Sequence, residues 1–123
     1  MFRVFDTQEK CWLDRDVYLS NNGELLMINR SVLGMIKSVV KLPPERYVFH
    51  KAIDLWDKED RRVYEGDYIQ AQVDEDKNVV GLVTFAHELS SYVILCVDSD
   101  EFYTLGSNVK EHINVCGNVF DGY

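Results

Sequence analysis

Alternation with a period of two residues is what most constrains this chain. Tyr68 to Val73 puts Ile69, Ala71 and Val73 on one side of an extended backbone and Tyr68, Gln70 and Gln72 on the other. That is the pattern of a strand with one buried face. The polar run Asp74-Glu75-Asp76-Lys77-Asn78 follows as a turn. The apolar runs Val79 to Phe85, Tyr92 to Val97, Phe102 to Leu105 and Ile113 to Phe120 come after it. Five short strands joined by tight polar turns predict a small barrel or rolled sheet.

The first part of the chain reads the same way with one exception. Phe2 to Phe5 and Cys11 to Leu13 flank the polar turn Asp6-Thr7-Gln8-Glu9-Lys10, a hairpin pattern. Asn21-Asn22-Gly23 supplies residues that tolerate positive φ, and Glu24 to Asn29 then reads as a strand. Tyr47 to Asp54 is another, followed by the charged turn Asp57-Lys58-Glu59-Asp60. Ser31 to Val40 is the exception. Val32, Met35, Ile36 and Val39 fall on one helical face and Ser31 stands at a capping position, so a helix is expected there. Pro43-Pro44 stops whatever precedes it. The pair divides the chain into an N-terminal hairpin and short-helix region, 1–45, and a barrel region, 46–123. The turns Phe5-Asp6-Thr7-Gln8-Glu9-Lys10 and Trp56-Asp57-Lys58-Glu59-Asp60-Arg61 echo one another: an aromatic, an Asp, three polar residues and a base.

Charge narrows the function. The formal net charge is -8, a balance of +1 up to Arg46 and of -9 after it. The seven bases up to that point, Arg3, Lys10, Arg15, Arg30, Lys37, Lys41 and Arg46, are interleaved with acids. Direct phosphate-backbone binding is therefore disfavoured, because nucleic acid attracts bases and repels this acidic part. The opening, Met1-Phe2-Arg3-Val4-Phe5-Asp6, lacks the apolar core of a signal peptide. The longest unbroken apolar run, Tyr92 to Val97, is far too short to span a bilayer. No membrane role is expected, and cytoplasmic residence is. Cys11, Cys96 and Cys116 are widely spaced and form no CxxC pair, which fits free thiols in a reducing compartment.

No motif for catalysis, cofactor binding or metal binding is visible. His87-Glu88 begins like a zinc-protease helix but continues Leu89-Ser90-Ser91, without the second histidine. His50, His87 and His112 lack ligand spacing. Cys96, inside an apolar run, reads as a core residue. Asp74-Glu75-Asp76 and Asp98-Ser99-Asp100-Glu101 read as solvated turns without the calcium-loop pattern. Tyr64-Glu65-Gly66-Asp67-Tyr68-Ile69 is the sharpest local signature. A glycine there permits a backbone angle that other residues resist, the following Asp can accept turn amides, and a strand then begins.

Several of these segments resemble the YopX-like proteins of phages and prophages. Phe2-Arg3-Val4-Phe5-Asp6 is similar to their opening, and Asn22-Gly23-Glu24-Leu25 to their second turn and strand. Asp54 to Asp67, closing on Tyr64-Glu65-Gly66-Asp67, is the strongest match. There the family's usual turn glycine is replaced by Glu59-Asp60. Gly81-Leu82-Val83-Thr84-Phe85 and Cys116-Gly117-Asn118-Val119-Phe120 resemble two further strands. The resemblance implies a phage or prophage protein in the bacterial cytoplasm, and it carries over no catalytic residue. The fold expected is mainly β (α+β): a C-terminal SH3-like β-barrel, an N-terminal β-hairpin region and at most one or two short helices. The role expected is non-enzymatic, through protein–protein interaction or self-assembly. The alternatives are an acidic mimic of nucleic acid that inhibits a host enzyme, or a nucleic-acid-binding barrel.

Overall fold

A computed structural model describes residues 1–105 and 112–122. The chain is mainly β, and its strands fall into two compact units. Arg3–Phe49 forms one, and Met1–Phe2 with His50–Tyr123 forms the other. The division falls between Phe49 and His50, and the first two residues join the second unit.

In the N-terminal unit, β1 (Phe2–Asp6) and β2 (Cys11–Trp12) pair as a hairpin with Phe5 opposite Trp12 and Asp6 opposite Cys11. Phe5 and Trp12 meet edge to face at 5.0 Å, and the Arg3 guanidinium lies 4.2 Å from the Trp12 ring centroid. Asp6 is buried. Its Oδ1 accepts the Gln8 and Glu9 amides, and Arg46 grips both carboxylate oxygens at 2.9 and 2.7 Å. The strands β3 (Val17–Leu19), β4 (Leu25–Arg30) and β5 (Ile36–Leu42) form an antiparallel sheet in that order. Gly23 takes φ +83° in the turn between β3 and β4.

The helix expected over Ser31 to Val40 is absent. Residues 31–35 form a turn, and the rest of the segment is β5. Gly34 explains the switch. It adopts φ +84°, in the left-handed region, which reverses the chain. The β-branched residues Ile36, Val39 and Val40 then suit an extended backbone better than a helix.

The strand β6 (Tyr47–Trp56) begins in the first unit and ends in the second, where it pairs with β7 (Arg62–Tyr64). Then come β8 (Asp67–Asp74), β9 (Lys77–Ala86), a 3-10 turn (His87–Leu89), β10 (Ser91–Cys96), β11 (Phe102–Thr104) and β12 (Ile113–Asn118). The last five strands form one antiparallel sheet in the order β11-β10-β9-β8-β12. β8 to β11 run as a meander, and β12 returns beside β8. The core of this unit gathers Ile53, Leu55, Val63, Ile69, Ala71, Val83, Ile94 and Ile113. The alternation in β8 is obeyed: Ile69 and Ala71 are buried while Gln70 and Gln72 are exposed. Cys96, expected in the core, is only half-buried and lies at the end of its strand, while Val93 and Ile94 are its buried residues.

Two turns tie the unit together. Asp57 is fully buried. Its Oδ1 accepts the Glu59 and Arg61 amides, and its Oδ2 accepts Arg61 Nε and the Val115 amide of β12 at 3.0 Å. The echo seen in the sequence is therefore a shared device: a buried Asp caps its own turn and is clamped by an Arg. Asp60, in this turn, takes φ +62°. In the second turn Gly66 takes φ +84° and Asp67 Oδ2 accepts the Tyr64 amide. Gly66 also receives the Val119 amide on its carbonyl and donates to the Val83 carbonyl. The β12 strand ends at Asn118, sooner than expected, because Asn118 Oδ1 accepts the Phe120 and Asp121 amides and bends the chain.

Candidate interaction surface

The tip of the β4–β5 hairpin carries the most exposed hydrophobic group in the N-terminal unit. Val32 is 104% exposed, Leu33 84%, Met35 68% and Ile36 58%. Val39 and Val40, further along β5, are exposed as well.

The local polar chemistry explains why these side chains point outward. The Ser31 amide donates to the Met35 carbonyl at 2.7 Å, and the Gly34 amide to the Ser31 carbonyl at 2.9 Å. The Ser31 hydroxyl accepts the Leu33 and Met35 amides. Arg30 donates to the Gly34 carbonyl and is itself held by Asp16 at 2.7 Å. Much of the turn's polar backbone is thus bonded within the hairpin, and the exposed side chains at its tip, Val32, Leu33 and Met35, are apolar. Contiguous apolar surface of this kind marks interaction sites on soluble proteins.

The base of the same hairpin is concave. A cavity of about 350 Å³ is lined by Leu25, Leu42, Pro44, Tyr47, Val48 and Phe49, together with Gly23, Glu24 and Lys41. It is large enough for one or two apolar side chains. Lys41 and Glu24 form an exposed ion pair at 3.2 Å.

The residues singled out from the sequence lie elsewhere. His50 sits in β6 and stacks on Phe120 at 5.4 Å. His87 opens the 3-10 turn and meets Phe85 edge to face. His112 contacts Gln72 at 3.3 Å. Among the described residues, no three His, Cys, Asp or Glu side chains are grouped to hold a metal ion. Glu65 accepts the Tyr92 hydroxyl at 2.8 Å, and burial together with that bond pushes the Tyr92 pKa up to about 12. Gly66 and Asp67 serve the turn described above. Burial also raises the Cys116 thiol. The two acidic runs lie in turns at the same end of the five-stranded sheet, where Lys77 Nζ reaches Glu101 at 3.0 Å. No described helix is long and apolar enough to cross a membrane.

The exposed hairpin tip lies where the sequence pattern predicts a helix. A signal was present in Gly34 and the β-branched pair Val39-Val40, which favour turn and strand over helix.

Fold and surface together define a β protein of two small units with an apolar hairpin on the first. The chain belongs to the YopX protein family, whose model matches residues 1–122. No curated protein matches it.

Proposed function

We propose that this protein is a non-enzymatic accessory factor of a phage or prophage, working in the bacterial cytoplasm through protein–protein contact. The observation that carries this reading is the hairpin tip, where Val32, Leu33, Met35 and Ile36 are held outward by a hydrogen-bonded turn. Keeping four apolar side chains in water forgoes burial energy of about 1.5–3 kcal/mol each. A covering protein surface would recover it. The C-terminal unit is proposed to be an SH3-like barrel, supported by a meander whose fifth strand returns beside the first.

The test is light scattering on size-exclusion fractions, paired with a pull-down from host lysate. Wild type and a Val32→Ser, Leu33→Ser, Met35→Ser variant are compared. The expected result is an oligomer or retained partner in the wild type and its loss in the variant. A strict monomer that retains nothing overturns the reading.

A second reading has one specific observation behind it. The placement of Asp74-Glu75-Asp76 and Asp98-Ser99-Asp100-Glu101 in turns at one end of a sheet favours an acidic surface that imitates nucleic acid. Competition with DNA for a host enzyme would support it. Charge reversal at Asp98 and Asp100 without effect on that competition would eliminate it.

A further inference from the structure

The β4–β5 hairpin carries two apolar features of opposite shape, both within the unit Arg3–Phe49. Its tip projects. Val32 and Leu33 occupy the middle of the turn that the Gly34 amide closes on the Ser31 carbonyl, and they are 104% and 84% exposed. Its base is hollow. Leu25 and Leu42, paired across the two strands and both buried, stand with Pro44, Tyr47, Val48 and Phe49 around the cavity of about 350 Å³. An apolar cavity of about 150 Å³ holds a benzene ring, so this one has room for both tip side chains.

A copy cannot fill its own cavity. The strand from Leu25 to Arg30 separates tip from base by about 17 Å, at 3.3–3.4 Å per residue. The hydrogen bonds between β4 and β5 hold the hairpin extended over that length. A second copy meets no such obstacle.

Charge favours contact at this place on the molecule. A net charge of -8 keeps copies apart in general. The part up to Arg46, which holds the whole hairpin, has a balance of only +1. Each end of the hairpin also carries a matched ion pair, Arg30–Asp16 beside the tip and Lys41–Glu24 beside the cavity. Neither end therefore brings a net charge to the contact, and what meets is hydrocarbon with hydrocarbon.

We infer that Val32 and Leu33 of one copy enter the Leu25–Leu42 cavity of a second copy, joining this protein head to tail. This rests on the protein-contact reading and names the partner. Tip and cavity are different surfaces, so the contact is heterologous. Each addition leaves a free tip at one end and a free cavity at the other, until the assembly closes into a ring or runs on as an open chain.

The test follows the full chain by sedimentation equilibrium over a concentration series. The Val32→Ser, Leu33→Ser, Met35→Ser variant loses the tip and keeps the cavity. Two others keep the tip: Val48→Lys, which sets a charge in the cavity wall, and Val48→Trp, which fills the space. Val48 is 37% exposed, and unchanged melting curves verify each fold. Wild type should self-associate, and added salt should not weaken it, because burial of apolar groups is not screened. Each variant alone should lose at least about tenfold in association constant. Mixing the tip variant with either cavity variant should restore a complex that stops at two copies, since the tip and the cavity left over are the impaired ones. Wild type that is monomeric at every concentration, cavity variants that associate as tightly as wild type, or a mixture that stays monomeric overturns the inference. If it is overturned while the tip still governs self-association or capture from host lysate, the protein-contact reading stands. If the tip governs neither, that reading falls with it.

Discussion

The Gly66 backbone lies against the His50 imidazole, so a Cβ built on Gly66 would stand 2.5 Å from His50 Cε1 and 2.8 Å from Nδ1. The position also has φ +84°. Gly66→Ala therefore meets both a left-handed backbone angle and a ring stacked on Phe120. The first costs about 1–2 kcal/mol and the second adds overpacking of about 1 kcal/mol or more. Thermal and urea denaturation should show a loss of at least about 2 kcal/mol. A variant as stable as the parent would show that the turn and ring can both yield.

Asp57 carries more of the C-terminal unit than its place in a charged turn suggests. Removing its side chain takes the acceptor from the Val115, Glu59 and Arg61 amides and from Arg61 Nε together. Asp57→Ala should cost about 3 kcal/mol or more. Asp57→Asn should cost less, since one amide oxygen still accepts. Urea titration of both variants checks the order, and equal losses would contradict the shared-acceptor role.

Acid should unfold this protein early. Arg46 beside Asp6, with the Gln8 and Glu9 amides, holds that carboxyl at about 2 against burial. Burial pushes Asp57 up, but the Val115, Arg61 and Glu59 amides and the Arg61 guanidinium outweigh it and keep the group below its ordinary value. Both folded values lie below the unfolded one, so the unfolded state binds more protons in this range. The stabilisation is present above about pH 4 and drains as pH falls toward 2. Urea midpoints from pH 5 to 2 should drop steadily, and Asp6→Asn should flatten the slope. A midpoint independent of pH over this window would mean neither carboxylate is linked to folding.

The hairpin tip should tolerate change. Val32→Ser and Leu33→Ser remove side chains with almost no buried contact, so stability should move by no more than about 0.5 kcal/mol. Binding of a hydrophobic dye should fall at the same time. A large destabilisation would show that the tip packs against something in the folded protein.

Isolated protein should not bind random DNA or RNA at about 50 mM salt, where electrostatic binders are strongest. Arg30 and Arg46 are occupied by Asp16 and Asp6, and Lys41 by Glu24. Anisotropy with labelled oligonucleotides checks this. Micromolar binding that weakens with salt would return the nucleic-acid hypothesis to first place.

The sequence by itself determined the strands and most of the turns, because these follow from near neighbours. Tyr68 to Val73 alternates and forms a strand, Asn21-Asn22-Gly23 bends, and Gly66 takes its positive φ where the Tyr-Glu-Gly-Asp run placed it. The family was legible for the same reason, since its motifs are turn-and-strand signatures. Tertiary structure decided the rest. Val32, Met35, Ile36 and Val39 match a helical period as well as a hairpin, and a short apolar run cannot separate the two. Only the φ of Gly34 and the pairing of β5 with β4 resolve it. Burial of Asp57 and Asp6 was equally hidden. Each depends on a partner far along the chain, the Val115 amide for one and Arg46 for the other, and no local pattern encodes which distant group will arrive.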